Sequence, residues 1–221
     1  MEKQNLIAII GDLINSKSIE NRFEVQEKLK GILDVANLQY KEYIVSKWTI
    51  TLGDEFQVLI KPNSKLFEML DFISYKMYPY EIRYGIGLGA IKTKINYENS
   101  IGADGPAYWN ARAAIEFIHD NNNYGTSKTA FISGDKSDEV INNLLAYTDW
   151  MKERWTDSQR AILHHLIDAN MYDEKFEQKK LAEILDISRS AMSRRVKSSG
   201  IKLYLSSKNS LARCIKNMGG F

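Results

Sequence analysis

The chain has little of what marks several classes of protein. Its 221 residues include one cysteine, so no disulfide framework can form, and this usage fits a reducing compartment. Because only three histidines accompany that thiol, a structural zinc site is not expected. No apolar run approaches the roughly 20 residues that a membrane-spanning helix needs, and the first residues lack a signal-peptide pattern. We therefore expect a cytoplasmic protein with no membrane partner.

Acidic residues are also missing from the end of the chain, where none follows Asp186. Residues 156–221 carry 12 Lys or Arg against 7 Asp or Glu, a net charge of +5, whereas residues 1–155 carry 18 against 21, a net charge of −3. A basic segment attached to an acidic body indicates a polyanionic partner for one end only. Length and charge together predict two domains, residues 1–155 and residues 156–221.

The stretch Trp48–Ile60 predicts a β-hairpin. Apolar residues alternate with threonines in its first half, and Gly53 provides the backbone freedom that a tight turn needs. Two adjacent carboxylates, Asp54 and Glu55, stand at the tip. Like charges this close are costly unless a cation or a positive group compensates them, so both residues are candidate metal ligands. The alternative is a solvated turn.

An apolar run at residues 5–10 predicts a strand buried on both faces, and Asp12 follows near its end. The later patterns predict the order β-α-β-β-α-β-α-β-α, in a mixed sheet covered by helices on one face. In such a sheet Asp12 and Asp54 can meet. Two converging carboxylates are the minimum site for Mg²⁺ or Mn²⁺ holding a triphosphate. Alternatively, Asp12 only caps the next turn.

Glycines alternate through the predicted strand Tyr80–Ile91, which indicates close approach by another backbone or by a ligand. A helix is predicted at Ala107–Asp120, and a turn at Asn121–Gly125. Arg112 lies near the start of that helix, where the helix dipole disfavours a cation. Either Arg112 is simply solvated or it pairs with an anion.

The basic segment predicts two helices joined by a turn over Gln178–Val196, with Ser188 or Ser190 capping the second helix. Met192 and Val196, one turn apart, anchor that helix. Five side chains then face outward, of types that reach guanine edges and phosphates: Arg189, Ser190, Ser193, Arg194 and Lys197.

The residues that follow, Ile201–Leu205, alternate as the wing strand of a winged helix-turn-helix would. The segment resembles the winged helix-turn-helix regulators of bacteria. This predicts DNA as the polyanionic partner. The alternative is a small helical domain with a solvated basic face.

Three segments of the body resemble the class III nucleotidyl cyclases and, more loosely, the diguanylate cyclases and palm-type polymerases. They are Ile9–Leu13, Thr51–Phe56 and Ile82–Gly89. The resemblance implies an α+β fold of the ferredoxin-like, palm type. It also implies that Asp12 and Asp54 hold two divalent ions.

The same resemblance implies further roles in the body. Arg112 takes the position of the cyclase arginine that stabilises the transition state, but Tyr108 stands where those cyclases carry asparagine. The residues assigned to nucleotide binding are Leu13, Asn15, Ser16, Asp104 and Asn110.

Taken whole, the chain resembles the SatD family of small bacterial proteins, through Ile10–Asp12, Leu52–Gln57 and Ile101–Arg112. Three functions follow as hypotheses. The first is a DNA-binding regulator, expected to be a homodimer, whose cyclase-like domain binds a nucleotide or cyclic nucleotide with a divalent metal. The second is a metal-dependent nucleotidyl cyclase or nucleotidyltransferase. The third is a non-catalytic scaffold that oligomerises the DNA-binding end.

Overall fold

The computed structural model describes residues 5–120 and 125–220. The strands are β1 (Leu6–Leu13), β2 (Ile44–Leu52), β3 (Glu55–Ile60), β4 (Ile82–Gly89) and β5 (Thr129–Ile132). The helices are α1 (Arg22–Gln39), α2 (Leu66–Met77), α3 (Pro106–His119), α4 (Asp138–Glu153), α5 (Asp157–Asp168), α6 (Gln178–Ile184), α7 (Arg189–Ser199) and α8 (Ile201–Met218). Of the turn predicted at residues 121–125, residues 121–124 lie outside the described residues.

The five strands form one sheet in the order β2-β3-β1-β4-β5. β1 lies at the centre and runs antiparallel to both β3 and β4, whereas β5 runs parallel to β4. The prediction of an α+β protein with a mixed sheet is therefore confirmed, and the elements from β1 to α4 follow each other in the predicted order.

Helices cover both faces of this sheet, so the prediction of helices on one face is wrong. α1 and α2 pack on one face, while α3 lies on the other face, directly over β4. The glycines of β4 make this possible, because a Cβ atom at Gly85 would lie 2.7 Å from the backbone nitrogen of Ile115. A Cβ atom at Gly89 would lie 2.8 Å from that of Ala107. The alternating glycines thus accommodate a helix backbone rather than a ligand.

Replacing Gly87 with alanine should lower the free energy of unfolding by at least about 1–3 kcal/mol, the usual cost of overpacking a core. The new Cβ atom would meet the backbone of α3, including the carbonyl carbon of Asn110 at 2.8 Å. Gly31→Ala is the matched control, because no atom lies within 4 Å of a Cβ atom there. That change should instead stabilise α1, by about 0.5–1 kcal/mol. Equal urea midpoints for the two variants would contradict this account of β4.

The predicted wing strand is wrong, because Ile201–Met218 forms the helix α8. Gly200, in the left-handed region at φ 63°, ends α7 and starts α8. The apolar positions continue at helical spacing far beyond the five residues that alternate. The buried residues of α8 are Ile201, Tyr204, Leu205, Lys208, Leu211, Ala212 and Ile215.

The C-terminal helices pack directly on the body, and one hydrophobic cluster contains residues of both. The ring of His164 in α5 stacks on Tyr75 of α2, with 3.9 Å between centroids. Trp155 donates from Nε1 to the carbonyl of Ser199 at 2.7 Å. The predicted boundary at residues 155/156 falls in the turn between α4 and α5, and the division into two domains stays a prediction. No helix in the described ranges is long and apolar enough to cross a membrane.

His164 should make this packing depend on pH. Burial, together with Lys152 and Arg160, lowers the pKa of His164 from 6.5 to about 4. The unfolded chain takes up the proton first, so stability present above pH 6.5 is lost as the pH falls towards 4. We expect the urea midpoint of the wild type to fall more steeply over this window than that of His164→Phe. His165→Phe should behave as the wild type. Parallel curves for wild type and His164→Phe would contradict the assignment.

Candidate functional site

The end of β1 and the turn between β2 and β3 border one cavity of about 490 Å³. Asp12 comes from β1 and Asp54 from the turn. The chain that follows β1 lines the same cavity through Leu13, Asn15 and Ser16. The structure thus brings together both aspartates and three of the residues assigned to nucleotide binding. Their roles as ligands stay predictions.

Basic side chains that the sequence analysis did not identify share this cavity. Arg83 forms a two-point ion pair with Asp12, with Nε–Oδ1 and Nη2–Oδ2 distances of 3.0 Å each. Nε2 of His119 lies 3.2 Å from Oδ2 of Asp12, and Nη2 of Arg22 lies 3.4 Å from Oδ1 of Asp54. Lys17 also lines the cavity. The strand pairing explains Arg83, because it lies directly opposite Asp12 across β1 and β4.

Glu55 points to a different partner. It lies opposite Asp12 in the pairing of β1 with β3, but its carboxylate binds the guanidinium of Arg112, with Nη2–Oε1 at 2.9 Å. Thr51 donates a further hydrogen bond at 3.1 Å. The hydrogen bonds from Arg112 lower the pKa of Glu55 against the opposing effect of burial. The anion that Arg112 pairs with is therefore the protein's own Glu55.

The remaining assigned residues lie apart from the first cavity. Asp104 and Arg112 line a second cavity of about 440 Å³ beside α3, where Asp104 accepts a hydrogen bond from Nε1 of Trp109 at 2.6 Å. Asn110 donates from Nδ2 to the carbonyl of Leu88 at 2.9 Å and so holds α3 against β4. Asn110 is engaged in the packing of the fold, and it lines neither cavity.

The carboxylates predicted to bind metal are each engaged by a guanidinium. Asp12, Asp54 and Glu55 pair with three different arginines. Among the described residues, no group of three or more His, Cys, Asp or Glu side chains is placed to hold a metal ion. The first cavity holds one lysine and two arginines beside its two carboxylates. The Mg²⁺ or Mn²⁺ assignment stays a prediction, and it requires those arginines to release the carboxylates.

α7 presents the second candidate site. Oγ of Ser188 caps this helix by accepting a hydrogen bond from the backbone nitrogen of Ala191 at 3.2 Å. Met192 and Val196 are buried on its inner side. All five side chains assigned to DNA contact are exposed: Arg189, Ser190, Ser193, Arg194 and Lys197. α6 lies against α7 across a turn of four residues, 185–188.

Comparison with known proteins gives the family. A family model described as the SatD family matches residues 6–215. The chain belongs to the SatD family. No curated protein matches this SatD-family chain. A solved structure of a bacterial light-regulated adenylyl cyclase is similar at 12% sequence identity with a TM-score of 0.40. That similarity covers 57% of the SatD-family chain and 42% of the cyclase chain.

Proposed function

We propose that this SatD-family protein is a DNA-binding regulator that contacts DNA through α7 and binds a phosphorylated small molecule at the end of β1. The exposed face of α7 carries the proposal. Three cationic and two hydroxyl side chains stand on it, and the residues behind it are buried. Arginine, lysine and serine are the side chains that contact phosphates and base edges in the major groove.

The α6–α7 pair supports the DNA-binding part. The second helix is capped by its own serine and held at the surface by buried residues on α6, as a recognition helix requires. A single such helix reads only a few base pairs, so we expect the protein to act as a homodimer on two half-sites. A dimer that contacts both half-sites would bind DNA more tightly than a single α7 helix would.

The anion-binding part rests on the first cavity. Arg22, Arg83, Lys17 and His119 surround a space of about 490 Å³ at the end of the central strand. The order β-α-β-β-α-β, with strands β2-β3-β1-β4, supports the ferredoxin-like, palm-type assignment made from the sequence. Guanidinium groups bind phosphates in a two-point geometry, so a nucleotide or cyclic nucleotide is the favoured ligand, and its phosphate would replace Asp12 as the partner of Arg83.

The test is a gel-shift titration on DNA from upstream of the protein's own gene, run with and without each nucleoside triphosphate and cyclic AMP or GMP. We expect specific binding that one of these ligands changes. Arg83→Ala should abolish the ligand effect and leave basal DNA binding in place. If no DNA is bound at low salt with any ligand, the proposal is wrong.

A second function is favoured by one observation, that Asp12 and Asp54 border the same cavity. Such a pair could position two metals that neutralise a triphosphate while pyrophosphate leaves. The protein would then be a nucleotidyl cyclase or nucleotidyltransferase. Incubation with the four triphosphates and Mn²⁺, followed by a pyrophosphate assay, tests it. Product that persists in Asp54→Ala would exclude this site as its source.

A further inference from the structure

A larger cavity, of about 570 Å³, lies where the C-terminal helices meet the sheet. Its walls come from α2, β4, α4, α5 and α8, and it shares no lining residue with the two cavities described above. The volume is within the range of about 300–1,000 Å³ that small-molecule sites occupy.

Lys208 of α8 brings an ammonium group to this cavity, although only 3% of the residue is exposed. Its nearest anionic partner is Oδ1 of Asp149 at 3.7 Å, which is too long for a normal hydrogen bond. The ammonium also lies 4.8 Å from the ring centroid of Phe67. Burial lowers the pKa of Lys208 against the opposing effect of Asp149 and Asp71. Lys208 thus has one long ion pair among the described residues, which leaves room for a closer anionic partner.

The carboxylates of the cavity, in contrast, already have their donors. Asp71 accepts from Lys152 at 2.6 Å and from two tyrosine hydroxyls at 2.6–2.8 Å. Asp149 accepts from the backbone nitrogens of Lys128 and Thr129 at 2.8 Å each. Glu81 and Glu153, which also line the cavity, both pair with Lys128. The carboxylates are therefore engaged at shorter distances than the ammonium of Lys208 is.

A second donor lies on the same cavity. Nε of Arg160 is buried without a hydrogen-bond partner among the described residues, and its guanidinium lies 5.3 Å from the ring centroid of Tyr78. The rest of the wall has a polar or charged part and an aromatic and apolar part. The polar or charged part is formed by Ser74, Glu81, Lys128, Thr129 and Glu153. The aromatic and apolar part is formed by Phe67, Leu70, Tyr78, Ile82 and Tyr84.

We propose that this cavity is a binding site for a small molecule with a planar apolar body and one anionic group, a carboxylate or a phosphate, that pairs with Lys208. The aromatic part of the wall would take the body, and the ammonium of Lys208 would take the anion. The site does not depend on the function proposed for α7 or for the first cavity. Because α2, α5 and α8 all contribute to it, a bound molecule would hold the helices to the body and raise the thermal midpoint.

Three matched probes test the site: phenyl phosphate, benzoate and the neutral benzyl alcohol. Each is titrated to about 10 mM with the full chain, and binding is followed by the thermal midpoint and by calorimetry. We expect one of the two anions to raise the midpoint by about 3 °C near ten times its dissociation constant, and benzyl alcohol to leave it unchanged. Which anion binds decides between a carboxylate and a phosphate ligand.

Lys208→Met removes the ammonium and keeps most of the side-chain volume. It should weaken binding of the active anion at least about tenfold. Lys216→Met, on the same helix but outside the cavity, is the control and should bind as the wild type. Circular dichroism shows whether each variant is folded. If Lys208→Met does not fold, Tyr78→Ala, which shortens the aromatic wall, takes its place and should weaken binding in the same way.

Three results would overturn the proposal. The first is no binding of either anion by the wild type. The second is equal binding by the wild type and Lys208→Met. The third is binding of phenyl phosphate that is lost in Arg83→Ala and retained in Lys208→Met, which would place the ligand at the end of β1.

Discussion

Replacing Asp71 with alanine is expected to lower the free energy of unfolding by about 3–5 kcal/mol, as is usual when one member of a buried ion pair is removed. Only 5% of Asp71 is exposed. Its carboxylate lies between Lys152 of α4, Tyr172 and Tyr204 of α8, and it accepts hydrogen bonds from all three. Burial alone would raise the pKa of Asp71, but Lys152 and Lys208 hold it below its usual range, so the charged form is the native one. The alanine variant would leave two buried tyrosine hydroxyls and the partly buried ammonium of Lys152 without this acceptor.

Guanidinium unfolding followed by circular dichroism measures this effect. Asp34→Ala is the control, because Asp34 is an exposed aspartate of α1, and it should change the free energy of unfolding by less than about 0.5 kcal/mol. Tyr204→Phe removes one donor and keeps the ring, so it should cost less than Asp71→Ala. If Asp71→Ala were as stable as Asp34→Ala, the buried network would not hold the C-terminal helices on the body.

No local pattern in the sequence predicts the hydrogen-bond network around Asp71. Asp71 lies in a helix that the sequence predicts from its apolar residues, and its partners lie 81 to 133 residues further along the chain. The same is true of the first cavity, where Arg22 is 32 residues from Asp54 and Arg83 is 71 residues from Asp12. A pattern of neighbouring residues identifies a carboxylate, but only the fold decides whether a metal or an arginine faces it.

Strands and helices of the body were predictable because each depends on a local pattern of apolar residues. β1, β3 and β4 carry long runs of buried residues, and the order of elements follows from them. The covering of both sheet faces was not predictable in this way. It depends on the contact of the β4 glycines with α3, and the glycines alone are equally consistent with a ligand.

The wing strand was predicted from five residues, which are too few to distinguish a strand from a helix. Ile201, Leu203 and Leu205 alternate as in a strand, but Leu203 is 56% exposed and the first and last of the three are buried. The buried positions recur at intervals of three and four residues through Ile215, which only a helix produces. Lys208 shows the same limit of local reasoning, because its charge was counted with the basic segment, whereas its side chain lies in the interior.

The double substitution of Arg189 and Arg194 by alanine should weaken DNA binding by about two orders of magnitude, because each such arginine contributes about 1–3 kcal/mol when it pairs with a base. Both side chains are exposed on α7, and neither has an ion-pair partner among the described residues. A contact to phosphate rather than to a base would instead reduce the slope of log K against log salt concentration by about one for each residue. Fluorescence anisotropy over a series of salt concentrations separates these two contributions.

The matched control is Lys30→Ala with Lys41→Ala, which removes the same charge from exposed positions of the body and should change affinity little. Equal loss in the two double variants would mean that net charge alone binds the DNA, and unchanged binding by the α7 variant would remove that helix from the interface.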